Sequence, residues 1–292
     1  MPHLSQGEIE GLQVASVMKE IMVPRGDVTA TVRYGIKDGN LYGFGQAPAD
    51  EQPVILQDLR DKADQPTLAG EGFELVSHVS AVTDFEDRDA VATTYLPEIR
   101  DLMRIVMRTP HVYMQSNWVV RAETKPFSAV DRGPAGNFTK HQMKTGGFLH
   151  IDYDSPGAAA WARRAMDDAG VSRWPGGRLV VLTAWRAISA PPQDKPLAFI
   201  DRRSVSPDDL ILETIPVPTV TWNGYQLKRN ASHRFCWWSN VNRDEVILFA
   251  QHEDGFGPVS AAPHTAFHDP TCPPDTPTRH SIEVRGYCFV QD

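Results

Sequence analysis

RLVVLTAW (residues 178–185) is the stretch on which the fold turns. It follows the Gly176-Gly177 break and is rich in β-branched and aromatic residues, with no helical spacing of its apolar positions. Five segments of the same kind come after it: PLAFI (196–200), DLILETIPV (209–217), HRFCWW (233–238), EVILFAQ (245–251) and HSIEVRGYCFV (280–290). Polar, Gly and Pro residues separate them. Short strands at such intervals predict an antiparallel double sheet, either a barrel or a jelly roll. Upstream, VTATVRY (28–34), LYGF (41–44), PVILQ (53–57) and HVYMQSNWVVRA (111–122) also read as strands. Two helices interrupt the pattern. Tyr95, Ile99, Leu102, Met103 and Val106 recur at spacings of three and four within 89–107, with Pro97 near the start and Thr109-Pro110 beyond the end. PGAAAWARRAMDDAG begins with Pro156 and closes on Gly170, which predicts a helix over 156–169. The expected fold is mainly β with flanking α-helices. A single domain spans 1–292, with an α/β elaboration over 1–110 and a jelly-roll core over 111–292.

Composition agrees with a globular chain. Of 292 residues, 41% are hydrophobic and 23% charged, which excludes a disordered or fibrous protein. The 23 prolines and 21 glycines report frequent turns. A net charge of −8 argues against a general nucleic-acid partner, which needs clustered Lys and Arg. No apolar run reaches the roughly 18 residues of a membrane span, and MPHLSQGEIEGLQV lacks the form of a secretory signal. Cys236, Cys272 and Cys288 are too far apart for a C-x-x-C site and too few for a disulfide framework. A reducing, cytoplasmic setting is expected. A monomer or homodimer is expected.

The ten histidines invite a search for metal ligands. GGFLHIDYD (146–154) places His150 and Asp152 two apart in an apolar, strand-like context. In a strand these side chains share one face, so an imidazole and a carboxylate can reach the same ion. With one more histidine they form a two-histidine, one-carboxylate set, which leaves three adjacent positions open on Fe(II). His252 and Asp254 repeat the spacing, but they lie where a strand runs into a Gly-rich turn and read as a solvated loop.

Two later histidines are candidates for the third ligand: His233, ten residues before Arg243, and His264, fifteen before Arg279. The second register fits better, because EVILFAQ then precedes the metal histidine and HSIEVRGYCF forms the last strand. His233, among aromatic residues, reads as a core histidine, and His268 and His280 as loop residues. On the last strand Arg279, Ser281, Glu283 and Arg285 share a face. Arginine clasps carboxylates, and a barrel interior carrying two arginines needs an anionic partner. 2-Oxoglutarate, with two carboxylates, meets that need; the competing reading pairs Arg285 with Glu283 or Asp269 as structure. Met114 and Met143 are candidate pocket walls. Lys140, Lys144 and Arg186 are candidate substrate anchors for which surface positions are expected.

DLRDK (58–62), GEGFELVSHVSAVTDFED (70–87), YLPEIRDLM (95–103), HIDYD (150–154), PLAFIDRRSV (196–205), SHRFCWW (232–238), RDEVILFAQHED (243–254), PHTAF (263–267) and RHSIEVRGYCF (279–289) together resemble the CmcJ/NvfI (AsaB-like) hydroxylase/desaturase family of microbial secondary metabolism. The likeness runs nearly end to end. It implies a double-stranded β-helix, cupin-like core and an Fe(II)- and 2-oxoglutarate-dependent dioxygenase acting on a small molecule. It also implies iron on His150, Asp152 and His264, with Arg279 or Arg285, assisted by Ser281, holding 2-oxoglutarate. The family's W-R-P segment reads here as Trp185-Arg186-Ala187. Two alternatives stand beside this reading: an iron oxidase of the same barrel that uses no 2-oxoglutarate, as isopenicillin-N-synthase-type enzymes do, and a non-catalytic β-sandwich binding module.

Overall fold

The computed structural model describes residues 25–37, 40–41, 50–121, 142–143, 147–215, 222–257 and 259–291. Five strands come first: β1 (Val28–Tyr34), β2 (Ile36–Lys37), β3 (Asn40–Leu41), β4 (Asp50–Asp58) and β5 (Phe73–Ser77). A helical turn at Arg88–Ala90 and a π-helical turn at Val91–Tyr95 lead into α1 (Leu96–Met107). Then follow β6 (Val112–Met114), β7 (Val119–Arg121), β8 (Gln142–Met143), β9 (His150–Ile151) and α2 (Ser155–Asp168). The remaining strands are β10 (Arg178–Ala187), β11 (Leu197–Ile200), β12 (Leu210–Ile215), β13 (Trp222–Leu227), β14 (Phe235–Trp237), β15 (Glu245–Glu253), β16 (His264–Ala266) and β17 (Ser281–Val290).

Two sheets carry the core. One runs β1-β4-β14-β11-β16-β9-β13-β12, and the other β5-β15-β10-β17-β7-β8, with β6 also on β17. The mainly β, jelly-roll expectation is met. N-terminal strands are built into both sheets: β4 pairs in parallel with β14, and β5 antiparallel with β15.

Strands β10 and β17 pair over ten residues and are buried along nearly all of their length. Alternation divides their side chains between two environments. Val180, Leu182, Ala184, Ile282, Val284 and Cys288 face outward into the cluster under α1, with Ile99 and Met103. Each Val, Leu or Ile side chain among them contributes roughly 1.5–3 kcal/mol by leaving water. Gly286 lies under Met103, where a Cβ would overlap its sulfur, so the helix can sit close to the sheet. On the opposite face, Leu179, Val181, Tyr287 and Phe289 pack with α2, and Arg285 reaches Asp152.

α1 departs from expectation at its start. The helical path begins at Arg88, where Asp87 caps it, and Pro97 occupies the first turn of α1 after the π-turn. The expected strand over 111–122 is two short strands, both paired with β17. Residues 42–44 and 216–217 of other expected strands lie outside the described residues. Met114 packs against the cluster under α1 rather than walling the interior, and the side chain of Met143 lies outside the described residues.

Gly177 ends the turn before β10 with φ +75°, and a Cβ there would overlap the Val290 carbonyl. Gly177→Ala is therefore expected to cost about 2 kcal/mol from backbone strain and overlap. Urea unfolding checks this; an unchanged midpoint would contradict it.

Candidate metal centre

The site grows from the short β9. His150 pairs with Gln226 of β13 on one side and lies opposite His264 of β16 on the other. The two imidazoles therefore come from directly opposed positions on neighbouring strands, with ring centroids 4.4 Å apart. Asp152 follows just beyond β9. Its segment is pinned at Asp154, which accepts from Asn223 Nδ2 at 2.9 Å and caps α2 by accepting from Gly157 N at 2.8 Å. α2 in turn packs Ala158, Trp161, Ala162, Ala165 and Met166 against Leu179, Val181, Tyr287 and Phe289.

One ligand atom from each of His150, Asp152 and His264 lies within 4.8 Å of the others. His150 donates Nδ1–H to the Phe148 carbonyl at 2.8 Å, and His264 donates Nδ1–H to the Ala262 carbonyl at 3.3 Å. These bonds fix the tautomer and turn each Nε2 into a lone-pair donor. His150 Nε2 stands 3.3 Å from Asp152 Oδ1. Burial, reinforced by the neighbouring His150, holds His264 neutral by lowering its pKa to about 3. Burial alone would raise the Asp152 carboxyl, but Arg285 and His150 outweigh it and hold the group well below its usual range. Two imidazoles and a carboxylate suit a divalent iron, so the donor set fits the ion.

Arg285 NH2 donates to Asp152 Oδ2 at 2.7 Å and lies 3.6 Å from Glu283 Oε1. Of the structural partners considered for it, Glu283 is therefore present, while Asp269 instead faces Arg25 at 3.3 Å. Arg279 is fully buried beside Trp185 and donates to the Lys195 carbonyl at 2.7 Å. Arg279 precedes β17 and so, contrary to expectation, does not share a strand face with Ser281; Ser281 Oγ, on the first residue of β17, is buried without a hydrogen-bond partner among the described residues. An orphaned buried hydroxyl two residues along the chain from a buried guanidinium fits a carboxylate guest.

Other candidates fall away from this centre. His233 donates Nε2–H to Asp209 Oδ2 at 3.1 Å and accepts at Nδ1 from Tyr34 Oη at 3.1 Å, a core histidine as its aromatic context suggests. Arg243, its partner in the alternative register, donates to the Val82 and Thr83 carbonyls. His252 is a correction: it is a buried residue of β15, and only Asp254 is exposed, because the strand runs two residues further than its apolar stretch. Arg186 is another. It is fully buried, donating to the His78 and Arg243 carbonyls and to Tyr95 Oη. His268 and His280 are loop residues. Lys140 and Lys144 lie outside the described residues. Sequence reasoning missed Gln251 and Thr183, which stand beside Asp152: Gln251 Nε2 donates to Asp152 Oδ2 at 2.8 Å and to Thr183 Oγ1 at 3.1 Å. A lone polar residue inside each otherwise apolar run was the available signal.

Residues 24–289 match the oxidoreductase/YMDC permease-like domain family. The chain belongs to that family. Among relatives, the hydroxylase/desaturase efuI of Hormonema carpetanum is 29% identical over 299 residues, spanning 91% of this chain and 96% of that protein. The alpha-ketoglutarate-dependent dioxygenase phiK of a fungal species is 27% identical over 247 residues, spanning 83% and 86%. The solved iron and alpha-ketoglutarate-dependent endoperoxidase NvfI superposes with a TM-score of 0.73 at 22% identity, covering 92% of this chain and all of that one, which shows the shared fold. This oxidoreductase is thus an enzyme of the Fe(II)/2-oxoglutarate-dependent oxygenase class that its sequence resembles. Among the described residues no helix is long and apolar enough to cross a membrane.

Proposed function

We propose that His150, Asp152 and His264 hold Fe(II), that Arg279 and Ser281 hold the distal carboxylate of 2-oxoglutarate, and that the enzyme oxidises a small secondary metabolite. The observation that carries this reading is the convergence of the three ligand atoms within 4.8 Å inside the barrel. Bound iron supplies dioxygen activation coupled to oxidative decarboxylation of 2-oxoglutarate.

The chain's own contribution is placement and dryness. His150 and His264 turn Nε2 toward the centre because backbone carbonyls engage their Nδ1–H groups. Phe249 and Phe148 stand 4.6 and 4.9 Å from the His264 and His150 rings, centroid to centroid, and keep water from the imidazoles. Arg279, just before β17, and Ser281, the first residue of that strand, orient the co-substrate. Arg285 is already engaged by Asp152, which favours Arg279 for that task. Hydroxylation, desaturation and cyclisation differ in how the substrate lies against the same ligands. N-terminal strands in both core sheets support one oxygenase domain, and three free cysteines suit a cytoplasmic setting.

Arg279→Gln is expected to raise the 2-oxoglutarate concentration for half-saturation about 100-fold, the loss of one charge-assisted clasp. Metal affinity should stay at the wild-type value. Calorimetric titration under nitrogen, of Fe(II) into the metal-free protein and of 2-oxoglutarate into the iron-loaded protein, measures both; unchanged 2-oxoglutarate affinity would remove Arg279 from the role.

A further inference from the structure

The two oxygens of Asp152 face different groups. Oδ1 looks toward His150 Nε2, whereas Oδ2 accepts from Arg285 NH2 at 2.7 Å and from Gln251 Nε2 at 2.8 Å. Gln251 Oε1 also accepts from the Asp152 backbone N–H at 3.3 Å, so one amide grips both the main chain and the side chain of the aspartate. A β-bulge brings it there. Val181 pairs with His252 but Leu182 pairs with Ala250, which leaves Gln251 as the extra residue of β15. Such a bulge re-aims a side chain, and here it aims an amide at Asp152. Arg285 is steadied from behind by Glu283, to which Arg121 donates at 2.8 Å.

We propose that Arg285 and Gln251 are positioning residues that hold Asp152 as a one-oxygen iron ligand, and that Arg285 does not anchor 2-oxoglutarate. The proposal rests on the iron-site reading above and deepens it. A carboxylate can grip a metal with one oxygen or two. Three single-atom protein ligands leave three adjacent positions on a six-coordinate ion, enough for a chelating keto acid and dioxygen together. A two-oxygen grip would take one of those positions. Two donors on Oδ2, one of them cationic, oppose that rotation, because the second oxygen would have to leave both bonds.

The test uses Gln251→Leu, Arg285→Gln and Arg285→Lys in the full chain, each loaded with Co(II) or Fe(II) under nitrogen. Expected are a 10- to 100-fold loss of metal affinity in Gln251→Leu and Arg285→Gln, a changed Co(II) visible spectrum, and partial recovery in Arg285→Lys. Gln251→Leu removes no charge and keeps the proposal testable if Arg285→Gln fails to fold. Wild-type metal affinity and spectrum in the variants would overturn the proposal. So would an Arg285→Gln protein that binds metal normally but loses 2-oxoglutarate affinity alone. If wild type itself takes up no metal at these residues, the iron-site reading fails first, a result distinct from either.

Discussion

His264→Ala is expected to abolish stoichiometric iron binding and all turnover, while His233→Ala keeps iron and loses stability. The two histidines were rivals for one role, and their surroundings separate them. His264 lies opposite His150 in register and turns a neutral nitrogen toward Asp152. Removing it deletes a ligand, so the loss of metal affinity should exceed the 10- to 100-fold typical of an outer partner. His233 has both nitrogens within 3.1 Å of protein partners, Tyr34 and Asp209. Its removal takes a partner from the buried Tyr34 hydroxyl and one of several donors from Asp209, and should cost about 2–3 kcal/mol. Iron content by mass spectrometry and urea unfolding, run on both variants, check the pair. Retained iron in His264→Ala, or lost iron with wild-type stability in His233→Ala, would reverse the assignment.

Arg202→Met is expected to be the most destabilising replacement of a charged residue outside the metal centre. Arg202 is completely buried and spends five hydrogen bonds: Nε to the Gly70 carbonyl, NH1 to Glu253 Oε2 and the Ser260 carbonyl, and NH2 to the Leu68 and Ala69 carbonyls. It thus ties the 68–70 turn and the 260 loop to the end of β15. Loss of the guanidinium leaves four carbonyls without this donor and Glu253 with Arg178 alone, and breaking a buried pair from one side costs about 3–5 kcal/mol. For a chain of this size that lowers the melting temperature by about 10 °C. Arg234→Met is the control. Arg234 is 59% exposed although it pairs with Asp201, and its loss should stay within about 1 kcal/mol. Equal melting temperatures for the two variants would contradict the argument.

How far the sequence revealed this depended on how a segment is buried. Strands covered on both sides, such as β10 and β15, read as continuous apolar runs and were legible with their boundaries nearly right. α1 and α2 were legible from spacing and from Pro97, Pro156 and Gly170. β9 is only two residues long, and its pairing with β16 depends on residues more than a hundred positions away. Proximity of His150 and Asp152 could be read locally; the approach of His264 required the fold. Strand β13, WNGYQL, escaped notice because its polar residues and glycine carry no strand signal. The extra residue at Gln251 was invisible for another reason: a bulge is a property of two paired strands. Arg186 misled because charge ordinarily means surface, yet here carbonyls and Tyr95 satisfy it in the interior.

Anaerobic titration of the metal-free protein with Fe(II) and 2-oxoglutarate tests the central claim most directly. The account predicts one equivalent of each per chain, with the weak visible charge-transfer band of the keto-acid chelate, present in wild type and missing in His264→Ala. Iron bound without that band, or the band undiminished in His264→Ala, would contradict it.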